Sequence, residues 1–308
     1  MEGAYAIGLD VGGTSLKAAL ISSKGRVLKG SFNKILIGSQ GSREHIIRTF
    51  TKIVSMMLDT VKEKKLNLAG LSISTCGPFD LDNGVFLMKH KYASVYGISL
   101  KEVLRKHSNL PEKIPIVFDY DSWSFVRGEA WVGAARNYNR IVGLTLGGGL
   151  GSAFMVDGKI VTEGKGVPPL GSFWDLPYKG GIFEEMAPVC KRSIIRRYRE
   201  LGGEYKEGMD VKDIALRALE KRDRQALQVF KELGTELGQV LKPFMLEFRP
   251  DCIIFGGGIS KSSILFIRSF RAQLRDVKSL KKVSRAKNID LAGIYGVARL
   301  LFEKLKVY

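Results

Sequence analysis

The stretch "YAIGLDVGGTSLKAALIS" (residues 5–22) places apolar residues at every second position on both sides of a glycine turn. This period of two predicts a pair of antiparallel strands. A Lys24-Gly25 turn follows, and it predicts a third strand directly after it. The stretch "RIVGLTLGGGLGSAFMVDGKIV" (residues 140–161) repeats this layout in the second half of the chain. Two halves that open alike predict a duplicated α/β unit with a central cleft.

Other segments predict the remaining elements. Apolar residues spaced by three and four predict a helix over residues 43–64, and "LAGLSIST", "IPIVFD" and "CIIFGGGIS" are typical of buried strands. Helices are predicted at roughly 181–200 and 211–247, and helical segments close the chain. We expect an N-terminal lobe over 1–117, a C-terminal lobe over 118–289, and a terminal helix over 290–308 that returns to the first lobe.

The composition limits the class of protein. The 308 residues are 45% hydrophobic, but no apolar run approaches the ~18 residues of a membrane span, and the N-terminus does not resemble a signal peptide. Three cysteines lie far apart, which favours neither disulfides nor a zinc site. We therefore expect a cytoplasmic protein that does not contact the membrane. The net charge of +18 would attract anions or nucleic acid, but the basic residues are scattered along predicted helices, so we expect no nucleic-acid partner.

Three glycine loops follow predicted strands. The first glycine loop is Gly12, Gly13 and Thr14, the second is residues 147–149, with Gly151 shortly after it, and the third is residues 256–258. Glycines let backbone N–H groups approach a phosphate, and Asp10, just before the first loop, can hold Mg²⁺ directly or through water. Each loop by itself is equally compatible with an ordinary turn. Neither GxxxxGK[ST] nor GxGxxG occurs, which argues against the common nucleotide-binding folds.

The order of the motifs is more specific than any one of them. "DVGGTSLKAAL", "STCGPFDLDNGV", "FDYDSWSFVRGE", "LGGGLGSAFMVDGKI", "IIFGGGIS" and "AGIYGVA" together resemble the ROK family of sugar kinases and related repressors. That family belongs to the actin-like ATPase superfamily, so the resemblance implies a two-lobed, ribonuclease H-like α/β fold. It also implies ATP and Mg²⁺ as cofactors, a small polyhydroxylated substrate and a homodimer.

The resemblance assigns roles to individual residues. Asp121 corresponds to the catalytic aspartate of the family, the general base, whereas the residues alone favour a helix N-cap at this position. Its neighbour Asp119 is expected to shape the loop. Asp10 would be associated with Mg²⁺, and Gly148 stands where the family usually has Thr. The residues expected to bind the nucleotide are Asp10, Gly12, Gly13, Thr14, Lys17, Gly147, Gly148, Gly149, Gly256, Gly257 and Gly258.

The acceptor side departs from the family. Tyr120 and Trp123 stand in place of asparagines, and Ser172 and Asp175 correspond to a Glu and a His that contact sugar hydroxyls. The zinc motif CxCGxxGC is absent, and only Gly181 with Glu184 or Glu185 matches its end. These changes argue against glucose as the acceptor. The alternative acceptors are another hexose, a sugar acid or a cyclitol such as inositol. The expected substrate-binding residues are Gly77, Pro78, Asp80, Tyr120, Asp121, Trp123, Ser172 and Asp175.

Three functional hypotheses follow. The first is an ATP-dependent kinase of a small sugar or polyol. The second is a ROK-type repressor, which we do not expect because Asp10 leaves no space for a preceding DNA-binding domain. The third is a sugar or nucleotide sensor without phosphoryl transfer. Asp10 and Asp121 argue against a sensor, whereas Gly148 and the altered acceptor motif keep it open.

Overall fold

The computed structural model describes residues 3–307, which form two compact units. The first unit comprises residues 3–132 and 291–307, and the second comprises Gly133–Asp290. The division after Val132 differs from the predicted lobe boundary at residue 117, because the helix that follows the last strand of the first sheet packs within the first unit. The terminal helix belongs to the same unit.

A five-stranded sheet forms the centre of the first unit, with the order β3-β2-β1-β4-β7. Strand β2 is antiparallel to both of its neighbours, β1 and β3, whereas β4 and β7 run parallel to β1. The strands of this unit, including a small β5–β6 hairpin, are β1 (Tyr5–Val11), β2 (Ser15–Ser22), β3 (Asn33–Leu36), β4 (Leu68–Thr75), β5 (Phe79–Asp80), β6 (Val85–Phe86) and β7 (Ile116–Tyr120).

The position predicted for the third strand was wrong. After the Lys24-Gly25 turn the chain makes only an isolated bridge between Ile21 and Val27, and β3 begins at Asn33. The first two strands and β4 are confirmed. The reason for the difference is that strand pairing depends on the partner strand as well as on the local pattern.

Four helices cover this sheet: α1 (Arg43–Glu63), α2 (Leu100–His107), α3 (Asp121–Val132) and α9 (Ala292–Leu305). On one face, Ile7, Leu9 and Val11 of β1 share a core with the buried residues of α1, as its spacing of apolar residues predicted. On the other face, alternate residues such as Ala6 pack with Ile294 and its neighbours in α9.

Helices α3 and α9 cross with their backbones in contact. A Cβ atom on Gly128 would lie 2.0 Å from the Ala292 carbonyl oxygen, and one on Gly296 would lie 1.7 Å from the Ser124 carbonyl oxygen. Only glycine fits at either position. Helix α9 therefore supports α3 along its length and, through it, the residue with which α3 begins, Asp121.

The second unit repeats the sheet of the first. The order of its strands is β10-β9-β8-β13-β14. Strand β9 is antiparallel to both β8 and β10, whereas β13 and β14 run parallel to β8. This repetition confirms the predicted duplication of an α/β unit. The strands, with a short β11–β12 hairpin, are β8 (Arg140–Leu146), β9 (Leu150–Val156), β10 (Lys159–Val161), β11 (Pro177–Tyr178), β12 (Gly181–Ile182), β13 (Cys252–Gly256) and β14 (Lys282–Arg285).

The helices of the second unit are α4 (Phe183–Met186), α5 (Lys191–Glu200), α6 (Val211–Glu220), α7 (Arg224–Phe248) and α8 (Ile267–Gln273). The helical region predicted over 211–247 is divided into α6 and α7, because the Asp223 carboxylate accepts a hydrogen bond of 2.9 Å from the Ala226 amide and starts a new helix. The helix predicted over 181–200 is likewise divided. Strand β14 was not predicted. Within residues 3–307, no helix is long and apolar enough to cross a membrane.

Candidate functional site

Polar side chains meet at the carboxyl ends of the parallel strands in the first unit. Asp10 of β1 is in register with Ser74 of β4, and Ser74 is in register with Asp119 of β7. Residues that are directly opposite each other on neighbouring strands point to the same face of a sheet. Asp121 follows at the start of α3. The carboxyl edge of an open α/β sheet is the usual place for a ligand.

Asp121 is the first residue of α3, and its Oδ1 accepts a hydrogen bond of 2.7 Å from the Ser122 amide. Burial raises the pKa of Asp121 to about 6, and the charges of Asp10 and Asp119 act in the same direction. The Ser122 hydrogen bond and the ammonium group of Lys91 oppose that rise. A carboxylate with a pKa close to neutrality is suited to accept a proton from an attacking hydroxyl group.

Asp119 has a different environment. Its side chain is only 2% exposed, and its Oδ2 accepts hydrogen bonds from Ser124 Oγ at 3.2 Å and from Arg127 Nε at 3.1 Å. Both donors belong to α3. The carboxylate thus attaches the helix to the end of β7 and helps to fix the first turn of α3, where Asp121 lies.

The first glycine loop is fastened through its carbonyl groups. The three carbonyl oxygens of Gly12, Gly13 and Thr14 accept hydrogen bonds of 2.7–3.0 Å from Tyr92 Oη, the Ser39 amide and the Ile37 amide, in that order. Within residues 3–307, the amides of Gly13 and Thr14 donate no hydrogen bond. Successive amides of this kind can accept an anion such as a phosphate.

Asp10 precedes this loop and is suited to Mg²⁺. Its side chain is 25% exposed, with Oδ2 3.6 Å from Lys17 Nζ. The hydroxyl of Ser74 beside it is buried and has no hydrogen-bond partner in the described part of the chain. In nucleotide sites Mg²⁺ is usually held by one or two carboxylates together with water and phosphate oxygens. A single carboxylate next to two amides that can accept an anion fits that donor set.

Several expected acceptor residues lie together in the first unit. Tyr120 Oη donates a hydrogen bond of 3.0 Å to the Phe79 carbonyl oxygen, and its ring is 3.1 Å from the place of a Cβ on Gly77. The Trp123 ring packs edge-on against Tyr120, with 4.9 Å between centroids. The Gly77-Pro78 peptide bond, in the same loop, is cis.

Asp80 is engaged in its own turn. Its Oδ1 accepts hydrogen bonds of 3.0 Å from the amides of Asp82 and Asn83, and its Oδ2 accepts one of 2.8 Å from Asn83 Nδ2. These bonds, with that from the Asn83 amide foremost, hold the pKa of Asp80 below its usual value. Asp80 therefore stabilises the β5–β6 hairpin, and its contact with a substrate hydroxyl stays a prediction.

The second glycine loop joins β8 to β9 in the second unit. The Gly147 carbonyl oxygen accepts a hydrogen bond of 2.8 Å from the Lys191 amide at the start of α5, and Glu184 Oε2 accepts one of 2.6 Å from the Leu150 amide. A Cβ on Gly148 would have no heavy atom within 4 Å. The site where the family has Thr thus has room for a side chain.

The third glycine loop packs against the end of β8. Gly257 has a φ of +76°, and a Cβ there would lie 2.3 Å from the Leu146 carbonyl oxygen. This approach brings the second and third loops together. Ser172 and Asp175 belong to the segment before β11, which the 2.9 Å hydrogen bond from the Glu184 amide to the Trp174 carbonyl oxygen ties to α4. Asp175 is exposed.

The sequence profile of the ROK family matches residues 6–171 and 179–304. The chain belongs to the ROK family. This ROK protein is 26% identical to a glucokinase of Thermotoga maritima, a match that covers 97% of this chain and 98% of that glucokinase. It is 21% identical to a xylose repressor of Caldicellulosiruptor bescii, over 97% of this chain and 78% of the repressor.

The fold is that of ROK proteins as well. The crystal structure of a ROK family glucokinase from Streptomyces griseus in complex with glucose and AMPPNP superposes with a TM-score of 0.72 and 22% identity, covering 96% of this chain and 98% of that one. The chain therefore has the two-lobed, actin-like ATPase fold that was predicted.

Two side chains near the ROK motifs were not assigned a contact from sequence. Lys91 lies over the first glycine loop, with Cδ and Cε each 3.7 Å from the place of a Cβ on Gly13. Glu184 lies behind the second loop, with Oε2 2.8 Å from the place of a Cβ on Gly149. No local signal distinguished Lys91, because it is one of many basic residues in a chain of net charge +18.

Proposed function

We propose that this ROK sugar kinase transfers the γ-phosphoryl group of ATP to a hydroxyl group of a small sugar or polyol, with Asp121 as the general base. The observation that carries the proposal is the position of Asp121. Its carboxylate, whose pKa is about 6, shares the carboxyl edge of one sheet with Asp10 and lies within electrostatic reach of it. Asp10 in turn leads directly into the first glycine loop.

The chemistry requires one proton acceptor and a cradle for phosphate. The acceptor hydroxyl gives its proton to Asp121 as its oxygen forms a bond to the γ-phosphorus, and the bond from that phosphorus to the oxygen of ADP breaks. The amides of Gly13 and Thr14, which donate no hydrogen bond within residues 3–307, support their proposed role as donors to the phosphate oxygens. Mg²⁺, which Asp10 would hold directly or through water, supplies charge neutralisation to the phosphates when bound.

The donor is proposed to be ATP on two grounds. The glycine loops offer amide groups that can bind phosphates, and the Streptomyces griseus structure was solved with AMPPNP, an ATP analogue. In this proposal, the nucleotide contacts are the Asp10, Lys17 and glycine-loop residues named from the sequence. Gly148 contributes no hydroxyl, so its phosphate contact would come from the backbone alone.

The acceptor is proposed to be a polyhydroxylated ring other than unmodified glucose. The aromatic pair Tyr120 and Trp123 takes the place of two amide side chains that would bind hydroxyls. Aromatic faces pack against the apolar side of a sugar or cyclitol, and loss of a hydrogen-bonding partner changes discrimination strongly. Another hexose, a sugar acid and a cyclitol are the candidates. A homodimer, a cytoplasmic location and the absence of a nucleic-acid partner stay predictions.

A second candidate function is a sugar or nucleotide sensor that does not transfer phosphate. The match to a xylose repressor favours it, together with the open position at Gly148. The pKa of Asp121 argues for the kinase, because a sensor has no need of a carboxylate with a pKa near neutrality.

The test is ADP release from Mg-ATP with hexoses, N-acetylhexosamines, sugar acids and inositols as acceptors. Asp121→Asn is compared with Asp157→Asn, the same change at an exposed turn between β9 and β10. We expect acceptor-dependent turnover that falls about 10²–10⁴-fold in Asp121→Asn and is unchanged in Asp157→Asn. Wild-type turnover in Asp121→Asn would refute the base. A wild-type protein that binds ATP but releases no ADP with any acceptor would favour the sensor.

A further inference from the structure

Lys91 lies in the segment between β6 and α2, and hydrogen bonds hold both of its neighbours in the chain, His90 and Tyr92. The His90 carbonyl oxygen accepts a hydrogen bond of 2.8 Å from Gln40 Nε2, and the Tyr92 amide donates one of 2.8 Å to the Ser39 carbonyl oxygen. Tyr92 Oη donates to the Gly12 carbonyl oxygen at 2.7 Å. The backbone of Lys91 is thus held directly beside the first glycine loop.

The side chain of Lys91 runs across that loop. Its Cδ and Cε lie 3.7 Å from the place of a Cβ on Gly13, and the ammonium group is bonded to Cε, so it lies close to the loop. Within residues 3–307, this ammonium forms no ion pair with a carboxylate. Lys17, by contrast, has its ammonium 3.6 Å from Asp10 Oδ2.

The charge of Lys91 reaches both sides of the expected reaction centre. It lowers the pKa of Asp121, and it opposes the burial that raises the pKa of Cys76 to about 11. Cys76 begins the loop that was assigned to the acceptor. Lys91 thus lies beside the first glycine loop and its charge acts on Asp121. The phosphoryl group must move between these two places, so Lys91 lies close to its path.

We propose that Lys91 binds the γ-phosphoryl group of the nucleotide and stabilises the charge that develops on it during transfer. This inference rests on the proposed kinase function. Negative charge spreads over the equatorial oxygens of the transferred group, and a lysine ammonium is a compact charge that can follow it. The oxygen–phosphorus bonds form and break as described above, the proton goes to Asp121, and Lys91 keeps its own protons.

The experiment compares a ligand that has a γ-phosphoryl group with one that lacks it. The dissociation constants of AMPPNP and ADP, each with Mg²⁺, are measured by calorimetry for the wild type, Lys91→Met and Lys91→Arg. The control is Lys89→Met, at an exposed lysine of the same segment whose ammonium lies 5.5 Å from the Tyr96 ring. Circular dichroism establishes that each variant is folded.

In Lys91→Met we expect AMPPNP to bind at least ~10-fold more weakly, the loss of a hydrogen bond to a charged group, while ADP binding changes less than about two-fold. Lys91→Arg keeps the charge and should retain most of the preference for AMPPNP. Lys89→Met should behave as the wild type. If Lys91→Met does not fold, the comparison of Lys91→Arg with a charge-free Lys91→Gln carries the same test.

Two results would each overturn the inference about Lys91 and leave the proposed kinase function intact. One is equal binding of AMPPNP by the wild type and Lys91→Met, and the other is an equal loss for AMPPNP and ADP. The first of these, combined with a higher KM for acidic acceptors only, would assign Lys91 to the acceptor instead. A wild-type protein that binds neither nucleotide would overturn the proposed function, and the inference with it.

Discussion

The first and second glycine loops occupy the same place in two copies of one topology, yet their surroundings differ. Around the first loop lie Asp10, Lys17 and Lys91, and its carbonyl groups are fastened from the 37–39 and 90–92 segments. Behind the second loop lies one carboxylate, Glu184, which accepts from the Leu150 amide. Duplication therefore preserved the backbone, whereas the titratable groups with a proposed role in the transfer gathered in one copy only.

The difference between the two units is tested most directly by neutralising one carboxylate in each of them. Burial raises the pKa of Asp121 to about 6 in the folded protein, above the ordinary value of an aspartate, so its ionised form destabilises the fold. The cost appears as pH rises from about 4 to about 6 and persists above. Asp121→Asn should therefore raise the free energy of unfolding at pH 8 by up to about 3 kcal/mol, although activity is lost.

Denaturant unfolding at pH 8 and pH 4 measures this, with Asp157→Asn of the second unit as the control. At pH 4 the two variants should differ little from the wild type, because Asp121 is then protonated in the folded state. Asp121→Asn that is less stable than the wild type at pH 8 would contradict the assigned cause, burial of the charged form.

The second prediction compares a glycine that the packing requires, Gly257, with one that is proposed to bind phosphate, Gly13. At Gly257 a side chain meets the Leu146 carbonyl oxygen at 2.3 Å and a φ of +76°, whereas at Gly13 the nearest atoms are 3.6 Å away. Gly257→Ala should lower the free energy of unfolding by about 2 kcal/mol or more, through strain and steric conflict. Gly13→Ala should cost less than about 0.5 kcal/mol and instead weaken ATP binding.

Thermal unfolding and ATP titration of both variants separate the two effects. Gly258→Ala is the matched control for the third loop, since a Cβ there would meet no atom within 4 Å. Gly257→Ala with wild-type stability would show that β8 and the third loop can move apart without cost.

The smallest expected effect comes from making the second loop more like that of other family members. Gly148 has open space for a side chain, so Gly148→Thr should leave stability unchanged and add one hydroxyl donor to the loop. A single neutral hydrogen bond is worth about 1 kcal/mol, which corresponds to a several-fold lower KM for ATP. Gly148→Ala supplies the Cβ atom without the hydroxyl. Equal kinetics in the two variants would mean that no phosphate lies within reach of residue 148.

The amino-acid sequence was sufficient to predict the two strand–glycine–strand openings and the buried strands β4, β7 and β13, because these depend on alternation of apolar residues and on turn residues at fixed spacing. Asp10 was a candidate from its place before the first glycine loop, whereas Asp121 was assigned as the base through the resemblance to the ROK family. The places where prediction was wrong are the third strand, the division of 211–247 and the omission of β14. Each depends on a partner or a cap rather than on periodicity.

Long-range packing, rather than any local pattern, places Arg127 beside Asp119 and Lys91 beside the first glycine loop. Asp119 and Asp121 are two residues apart and look alike in sequence, but Arg127 pairs with Asp119, whereas Asp121 is buried and is influenced by the charges of Asp10 and Lys91. Lys91 reaches the first loop because Tyr92 hydrogen-bonds to Gly12 across 80 residues of chain. Contacts of that range arise from packing of the whole unit, and no local pattern encodes them.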